Sequence, residues 1–260
     1  MRTTPASART LGVRARWVLS IGLFLLLWQG AVWAFAIPTY LLPSPAETVR
    51  AIVDDAPLLA KHVVTTILET LAGLAIALVL GIGLALVMHR WRLVRDLVHP
   101  HLVLSQAVPL IAIAPMILIW FGLGPSAKIL VVAFVCFFPI AINAAEGFRS
   151  VDPAFAELLT TFGATWRHRT IHLTLPAALP GIVAGTKIAA TYSILGAVVG
   201  EWLGGSTGIG VYMTRSLHSF RTENLFGAIL IVMLMSFLLF KIVEAVGLRL
   251  TPWLRRRNHE

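Results

Sequence analysis

Six long apolar stretches constrain the fold of this 260-residue chain. A helix needs about 20 mostly apolar residues to cross a hydrocarbon core roughly 30 Å thick, and each stretch is long enough. They cover residues 17–36, 62–88, 97–121, 128–148, 177–201 and 224–247. Transmembrane β-strands would show short alternating runs instead. The sequence therefore predicts an all-α polytopic membrane protein, a single domain (residues 1–260) with six transmembrane helices.

The composition excludes a soluble domain. Hydrophobic residues make up 58% of the chain and charged residues 13%, whereas soluble domains carry about 25% charged residues. No soluble basic part remains that would hold nucleic acid. The net charge of +9 therefore indicates membrane orientation and contact with anionic lipid headgroups.

The positions of lysine and arginine predict the orientation, because cytoplasmic loops are enriched in them. We expect both termini in the cytoplasm, including the basic segments 1–16 and 248–260. Fourteen of the 21 basic residues then lie on that side: Arg2, Arg9, Arg14, Arg16, Arg90, Arg92, Arg95, Arg149, Arg167, Arg169, Arg249, Arg255, Arg256 and Arg257. Lys61 and Lys128 are among those expected outside. Ala34-Phe35-Ala36 resembles a signal cleavage site, but the apolar run before it is longer than a usual signal core, so we expect an uncleaved first span.

Small residues recur every four positions in two spans. The second span contains Gly73, Ala77, Gly81 and Ala85, and the fifth contains Gly181, Gly185 and Ala189. Such ridges let the backbones of membrane helices approach closely. They predict a tight bundle and carry little information about activity.

The third span contains polar residues and two prolines, Ser105, Gln106, Pro109 and Pro115. Each proline removes an intrahelical hydrogen bond, and freed carbonyls at membrane depth are tolerated only against protein or a water-lined cavity. Two interpretations are equally compatible with this pattern: a helix that lines a path, and a kinked structural helix.

Other polar residues in or near the spans are functional candidates, because ionisable groups in a membrane are costly and usually face the bundle interior. They are Glu69, Asn143, Glu146, Lys187 and Glu201. Glu69, Lys187 and Glu201 have an alternative location at the membrane interfaces, where they would reach water.

The sequence gives little support for an enzyme, and we predict neither catalytic nor metal-binding residues. The histidines lack an HExxH pattern, and His168 and His172 are interpreted as part of a solvated helical face. The run from Gly204 to Gly210 lacks the Lys-Ser/Thr of a phosphate-binding P-loop. We expect it to lie outside the membrane as a flexible or re-entrant turn.

The segment from Asp152 to Pro176 is a polar helical insert. Asp152 is a good N-cap, Pro153 suits the first helical position, and Gly163 supplies the left-handed residue that ends the helix. Between them one apolar face is expected, formed by Phe155, Leu158, Leu159 and Phe162. This face indicates either docking in a partner's groove or a helix lying on the membrane surface.

This segment resembles the EAA loop of ABC-importer permeases. Glu157, Gly163 six residues later, and the closing Leu175-Pro176 fit its spacing. Leu158 and Leu159 replace the two alanines of the family pattern, and Leu173 replaces its isoleucine. The family further shares short motifs with this chain: Leu42-Pro43-Ser44-Pro45, Ser105-Gln106-Ala107-Val108-Pro109, Trp120-Phe121-Gly122, Phe138-Pro139-Ile140 and Gly200-Glu201-Trp202.

The resemblance implies a function and a set of partners. The chain would be a multi-pass permease of the bacterial inner membrane, paired with a second copy, two ATPase subunits that bind ATP and Mg²⁺, and a periplasmic or lipid-anchored binding protein. The chain itself would need no cofactor. The implied ATPase-coupling residues are Asp152, Phe155, Glu157, Leu158, Leu159, Phe162, Gly163 and Pro176.

Within the family, the transported compound is predicted from short stretches only. Glu69 stands where sulfonate-type members usually carry arginine. Three stretches resemble the branch that imports thiamine-pyrimidine precursors or riboflavin: Ala190-Thr191-Tyr192, Gly200-Glu201-Trp202 and Phe220-Arg221-Thr222. That branch is favoured over sulfonate, taurine or nitrate. The candidate path-lining residues are Ser105, Gln106, Met116, Asn143, Tyr192 and Glu201. An alternative of another class is a self-contained channel or ion-coupled carrier with a charge relay of Glu69, Glu146 and Lys187.

Overall fold

A computed structural model describes residues 6–253, apart from the side chains of residues 6–14 and 17. The described residues form helices joined by short connections and contain no strand, which confirms the all-α class. Predictions for Arg2, Arg255, Arg256 and Arg257, and for the side chains of Arg9 and Arg14, lie outside the described residues. The helices are α1 Ala6–Ala34, α2 Pro45–Asp54, α3 Ala56–Arg90, α4 Arg92–Ser105, α5 Leu110–Phe121, α6 Pro125–Arg149, α7 Pro153–Thr161, α8 Trp166–Arg169, α9 Leu175–Gly204, α10 Ile209–His218 and α11 Thr222–Leu250.

The chain divides into two compact units. The first runs to Leu59 and includes Met213–Leu230. In this unit α1 carries the apolar stretch Val18–Ala34, and the Trp28 indole N–H donates to the Pro43 carbonyl at 3.0 Å. Helix α2 begins with a capping box, in which Ser44 and Glu47 each bond the other's backbone N–H.

The Glu47 capping box makes the start of α2 sensitive to acid. The Ser44 backbone N–H, donating at 2.7 Å, and then the Ser44 hydroxyl lower the pKa of Glu47. A lowered pKa means that the stabilisation is present above the ordinary carboxyl pKa and is lost as the pH falls through the lowered value. We expect amide exchange in residues 45–54, normalised for intrinsic rates, to accelerate below about pH 4. Glu47→Gln should remove this pH dependence, and equal acid sensitivity in that variant would contradict the assignment.

The second unit contains Ala60–Tyr212 and Ile231–Glu260. In the part of the chain that the structure describes, both units taken together, four helical segments are long and apolar enough to cross a membrane. They are α3, α6, α11 and the continuous stretch Trp166–Gly204. The prediction of one helix over residues 97–121 is wrong, because α4 and α5 meet at 106°. The break falls at Pro109, which has no N–H to continue the helix.

Helix α6 packs between α3 and α9 along ridges of small residues, as predicted. A Cβ on Gly73 would lie 2.5 Å from Val132, and one on Gly81 would lie 2.9 Å from Ile140. Both contacts advance in the same direction along α3 and α6, so these two helices run parallel. A Cβ on Gly185 would lie only 2.6 Å from the Pro139 carbonyl oxygen, so α6 and α9 approach backbone to backbone.

Helix α9 runs antiparallel to α6. Near the start of α9 Gly181 lies against Asn143 and Gly147, and near its end Gly200 lies against Lys128. The second unit therefore has an α7 end, where α6 leads into α7, and a Glu201 end, where α9 terminates. Helix α11 returns antiparallel to α9, since Lys187 bonds Glu244 at 2.9 Å and Gly247 lies on Val183.

The broken pair α4 and α5 crosses from one end of this unit to the other. Leu102 of α4 packs with Met88 and Phe148 at the α7 end. Leu118 of α5 packs with Ala127 and Val199 at the Glu201 end. Because α3 and α6 run parallel, the chain between them must return to its starting end. The pair therefore leads from the α7 end back to the Glu201 end, and its break lies between the two packed clusters.

The fifth span begins earlier than expected. Residues 177–201 were predicted, but the helix is continuous from Trp166 through a π-helical turn at Thr170–Thr174. Pro176 lies just after this turn and cannot donate to the carbonyl four residues earlier. A π-turn accommodates such a residue without ending the helix. The segment from Asp152 to Pro176 is thus partly a separate helix, α7, and partly the start of a span.

Candidate functional site

A groove of about 370 Å³ lies at the break between α4 and α5. Its walls come from the middle of α6 and the middle of α9, between the packed clusters at the two ends. Its lining residues are Ser105, Gln106, Val108, Leu110, Phe134, Val135, Phe138, Pro139, Ile188, Tyr192 and Leu195. Aromatic and aliphatic side chains predominate, with three polar side chains and no charged one among those that line it.

The break that opens the groove follows from its sequence. Ala107 and Val108 donate to the carbonyls of Leu104 and Ser105, each three residues back, at 3.1 and 3.3 Å. These tight turns end α4, and Pro109 in extended conformation starts α5. Irregular backbone at membrane depth is tolerated where it lines a cavity, which is its position here.

The structure brings together three of the six predicted path residues, Ser105, Gln106 and Tyr192. Met116 lies on α5 and is 47% exposed, but does not line the groove. The Asn143 amide donates to the Pro139 carbonyl at 2.8 Å within α6. Neither residue reaches this site.

Sequence reasoning missed Phe134 and Phe138, which line the groove. Their rings pack edge to face with centroids 5.0 Å apart. They are four residues apart on α6, and Tyr192 faces them from α9. The available signal was a pair of aromatics on one helical face next to a proline, which in an apolar span is indistinguishable from a lipid-facing pair.

Glu201 does not line the groove. It lies near the C-terminal end of α9 and is buried, with 1% exposure. Its carboxylate accepts from the Thr66 hydroxyl at 2.7 Å and from the Gly210 N–H at 2.6 Å. Thr66 accepts from the Ile209 N–H, and His62 accepts from the Gly208 N–H, both at 2.9 Å. Side chains of α3 and α9 thus cap the start of α10 and satisfy N–H groups that a helix leaves unpaired.

The glycine run is therefore packed, and the expectation of a flexible turn is wrong. Gly208 has φ +123°, and a Cβ there would overlap the Glu201 carboxylate. Gly210 is similarly close, since its Cβ would lie 2.5 Å from the Val198 carbonyl oxygen. The run opens α10, and the Glu201 carboxylate occupies the place at that helix N-terminus where an anion would bind.

Helix α7 has the predicted caps. The Asp152 carboxylate accepts from the Ala154 N–H at 2.9 Å, and Pro153 is the first helical residue. Gly163 has φ +77°, and its N–H donates to Thr160 while Ala164 donates to Leu159, both at 2.9 Å. This pair of bonds is the Schellman motif, so the prediction that Gly163 ends the helix is confirmed.

The apolar side chains of α7 are unevenly covered. Phe155 is 58% exposed, Leu158 52% and Phe162 79%, while Leu159 is half-buried and Glu157 exposed. Pro176 lies apart from this face, within the helix that continues into α9. The structure thus presents a short capped helix with large apolar side chains directed outwards.

Residues 77–256 match the family of binding-protein-dependent transport system inner membrane components. The chain belongs to this family. It is 35% identical over 236 residues to the formylaminopyrimidine transport permease protein ThiX of Halalkalibacterium halodurans, covering 90% of this permease and 94% of that protein. It is 30% identical over 237 residues to the riboflavin transport system permease protein RibX of Chloroflexus aurantiacus, covering 90% and 88%.

Similarity extends to a sulfonate relative and to solved structures. The permease is 30% identical over 256 residues to the putative aliphatic sulfonates transport permease protein SsuC of Escherichia coli, with 96% of each chain covered. Its fold resembles that in the inward-facing MetNI methionine ABC transporter, with a TM-score of 0.57 at 19% identity, covering 73% of this chain and 96% of that one. The expected family and the membrane-transport class are thereby confirmed.

The three residues suggested for a charge relay, Glu69, Glu146 and Lys187, do not contact one another. Glu69 pairs with Lys128, and both are buried. Lys187 pairs with Glu244, which also binds Lys241 at 2.7 Å. The three residues suggested for an ion-coupled carrier thus lie in separate ion pairs, since Glu146 pairs with Arg149 at 3.1 Å at the α7 end. Lys128 is buried at the Glu201 end of the second unit, and its place on the outer side stays a prediction.

The two histidines of α8 and the π-turn pair with each other. The rings of His168 and His172 stack with centroids 4.1 Å apart, and His172 Nδ1 lies 3.0 Å from the His168 carbonyl oxygen. Within the described residues, no group of three or more histidine, cysteine or acidic side chains is arranged to hold a metal ion. The pair remains interpreted as part of an exposed helical face.

Proposed function

We propose that this chain is the permease subunit of an ATP-binding-cassette importer that transports an uncharged aromatic heterocycle, a thiamine-pyrimidine precursor or a riboflavin-like compound. The observation that carries this proposal is the lining of the groove. Phe134, Phe138 and Tyr192 offer aromatic surface, while Ser105 and Gln106 offer hydrogen-bonding groups. Such a combination suits a planar ligand with a polar edge.

The same lining disfavours an anion. Sulfonate, taurine and nitrate carry negative charge on oxygen, and burying a charge away from water is costly unless it is paired. None of the residues lining the groove is lysine, arginine or histidine. Relatives named for formylaminopyrimidine and riboflavin transport support the heterocycle. Import of a sulfonate, taurine or nitrate is the second candidate, supported by the sulfonate relative.

The proposed assembly contains two copies of this permease, two ATPase subunits and a binding protein. The ATPases would bind ATP and Mg²⁺, and α7 would seat its outward side chains Phe155, Leu158 and Phe162 in a cleft of the ATPase. An amphipathic helix laid into a hydrophobic groove is a common recognition mode. The proposal is supported by the exposure of these three side chains and by the fixed caps at both ends of α7.

The proposed orientation puts the α7 end in the cytoplasm of a bacterial cell. In the described part of the second unit, that end carries seven arginines: Arg90, Arg92, Arg95, Arg149, Arg167, Arg169 and Arg249. The Glu201 end carries Lys61 and the buried Lys128. The asymmetry favours a cytoplasmic α7 end. With the broken pair counted as one span and α1 as another, six spans result, and both termini would then lie on the cytoplasmic side of the inner membrane.

Transport specificity is tested in proteoliposomes that contain the permease, its ATPase and its binding protein. Stacking on an aromatic ring contributes roughly 1–3 kcal/mol, so we expect Tyr192→Ala to raise the KM for a pyrimidine or flavin about tenfold. Tyr192→Phe should keep most of the affinity. Met116→Ala is the matched control outside the groove and should leave the KM unchanged. ATP-dependent uptake of taurine or nitrate without uptake of any heterocycle would reject the assignment.

A further inference from the structure

A second cavity, of about 420 Å³, lies at the α7 end between α4, the end of α6 and the helix that follows α7. Three guanidinium groups line it, from Arg95, Arg149 and Arg169, together with His89. No acidic side chain is among its lining residues. We call it the basic cavity. It is separate from the groove, which lies at the break between α4 and α5.

The arginines of the basic cavity are only partly neutralised. Arg95 bonds Asp96 at 3.2 Å and Arg149 bonds Glu146 at 3.1 Å, and both carboxylates are more than half exposed. Exposed ion pairs of this kind contribute little to stability, so a bound anion could replace either carboxylate as the partner of its arginine. Two carboxylates against three arginines leave the site positive. Two histidines are also near: His89 lines the cavity, and His99 Nε2 lies 3.7 Å from the Glu146 carboxylate.

Arg169 has an unused donor. One of its Nη1 hydrogens goes to the Thr160 hydroxyl at 2.6 Å, but its Nε is buried and has no hydrogen-bond partner among the described residues. A buried donor left without an acceptor is uncommon in folded proteins and calls for an explanation. A ligand with a hydrogen-bond acceptor, bound in the cavity, would give the Arg169 Nε–H its missing partner.

The tryptophans beside the basic cavity suit a position at the level of lipid headgroups. Trp91 and Trp166 flank this end of the helices and are 54% and 39% exposed. Arg90 lies 5.6 Å over the ring of Trp166. Tryptophan is enriched at membrane–water interfaces, and basic pockets between spans on the cytoplasmic side bind phosphorylated headgroups.

We infer that the basic cavity binds a phosphate group, either that of an anionic phospholipid or a soluble phosphate. Arginine suits this ligand because its planar fork of N–H groups matches two oxygens at once. The bound group would connect Arg95 of α4, Arg149 of α6 and Arg169, and Arg169 in turn holds Thr160 near the end of α7. An occupied cavity would thus fix α7 against the spans. The effect on transport rests on the proposed function, whereas binding itself does not.

The test measures lipid binding to the purified full-length permease by native mass spectrometry, with phosphatidylglycerol and phosphatidylcholine compared. A basic residue near a membrane surface contributes about fivefold in affinity for anionic lipid. We expect Arg169→Gln to weaken phosphatidylglycerol binding by about that factor. Arg169→Lys keeps the charge but loses Nε and the fork, so it should weaken binding too. Arg92→Gln is the control, because Arg92 is 86% exposed at the same end and does not line the cavity.

Competition identifies the source of the phosphate. If millimolar inorganic phosphate displaces phosphatidylglycerol in the wild-type permease, the site takes soluble phosphate; if it does not, the site takes the lipid. Equal binding of phosphatidylglycerol and phosphatidylcholine with no binding of inorganic phosphate would overturn the inference. So would an equal loss in Arg92→Gln and Arg169→Gln. If Arg169→Gln fails to fold, Arg169→Lys compared with Arg92→Gln still tests whether the lipid binds in the cavity, and neither measurement depends on the transported substrate.

Discussion

Replacing Gly163 with proline is expected to abolish ligand-stimulated ATP hydrolysis by the partner ATPase while the permease stays in the membrane. Gly163 has φ +77°, whereas proline is locked near −65°. Proline also removes the N–H that donates to Thr160 at 2.9 Å. The end of α7 would unwind at a cost of about 3 kcal/mol, and the Phe162 side chain would no longer be held on the outward apolar face of α7. The measurement is ATPase activity of the reconstituted complex with and without loaded binding protein.

Gly163→Asn is the matched control for this prediction. Asparagine tolerates the left-handed region better than other residues with a Cβ, and a Cβ at Gly163 meets nothing within 4 Å. The variant should therefore keep most of the stimulated activity. Phe162→Asp leaves the backbone intact and tests the apolar face alone, and we expect it to weaken association with the ATPase. Full ligand stimulation in Gly163→Pro would reject α7 as the coupling element.

The sequence predicts α7 well because its ends depend on local chemistry. Asp152, Pro153 and Gly163 act within one helical turn of their own position, through bonds to N–H and carbonyl groups close by in the chain. The prolines of the third span are also local, and they correctly indicate irregular backbone. The 106° angle between α4 and α5 is not local. It is set by where each half packs against α6, α3 and α9.

The groove could be predicted only in part for the same reason. Ser105 and Gln106 are recognisable beside Pro109, and Tyr192 as a polar aromatic in an apolar span. Whether a residue of a span faces the groove or another helix depends on its rotation about the helix axis, which composition does not fix. Asn143 illustrates this, since its amide turns back to Pro139 in its own helix.

Contacts between residues far apart in the sequence could not be predicted from the sequence. Glu201 was expected to line a path, yet its carboxylate bonds Thr66 and Gly210 and secures the start of α10. Lys128 was assigned to a side of the membrane from its charge alone, and its pairing with Glu69 within the packed helices was not foreseen. A single sequence contains the charges but not the register of α3 against α6. Once that register is known, the pairing follows from it.

Removing either charge of the Glu69–Lys128 pair is expected to destabilise the permease severely. The two side chains are 5% and 4% exposed, so Lys128→Met would leave an uncompensated carboxylate among apolar helices. Breaking a buried pair by removing one partner costs about 3–5 kcal/mol. We expect Lys128→Met and Glu69→Leu each to lower the melting temperature and the monodisperse fraction of the purified permease markedly.

The double variant distinguishes a specific pairing from a general loss of packing. Replacing a buried ion pair with apolar residues of similar volume is often neutral, so Glu69→Leu with Lys128→Met should recover most of the stability lost in either single variant. Lys187→Met is the partly exposed control: Glu244 would still be bound by Lys241 at 2.7 Å, and the effect should be small. If the double variant instead loses the sum of the two single effects, the charges act independently. In that case the apolar packing between α3 and α6, including the Gly73 and Gly81 contacts, would fix their register without help from the charges.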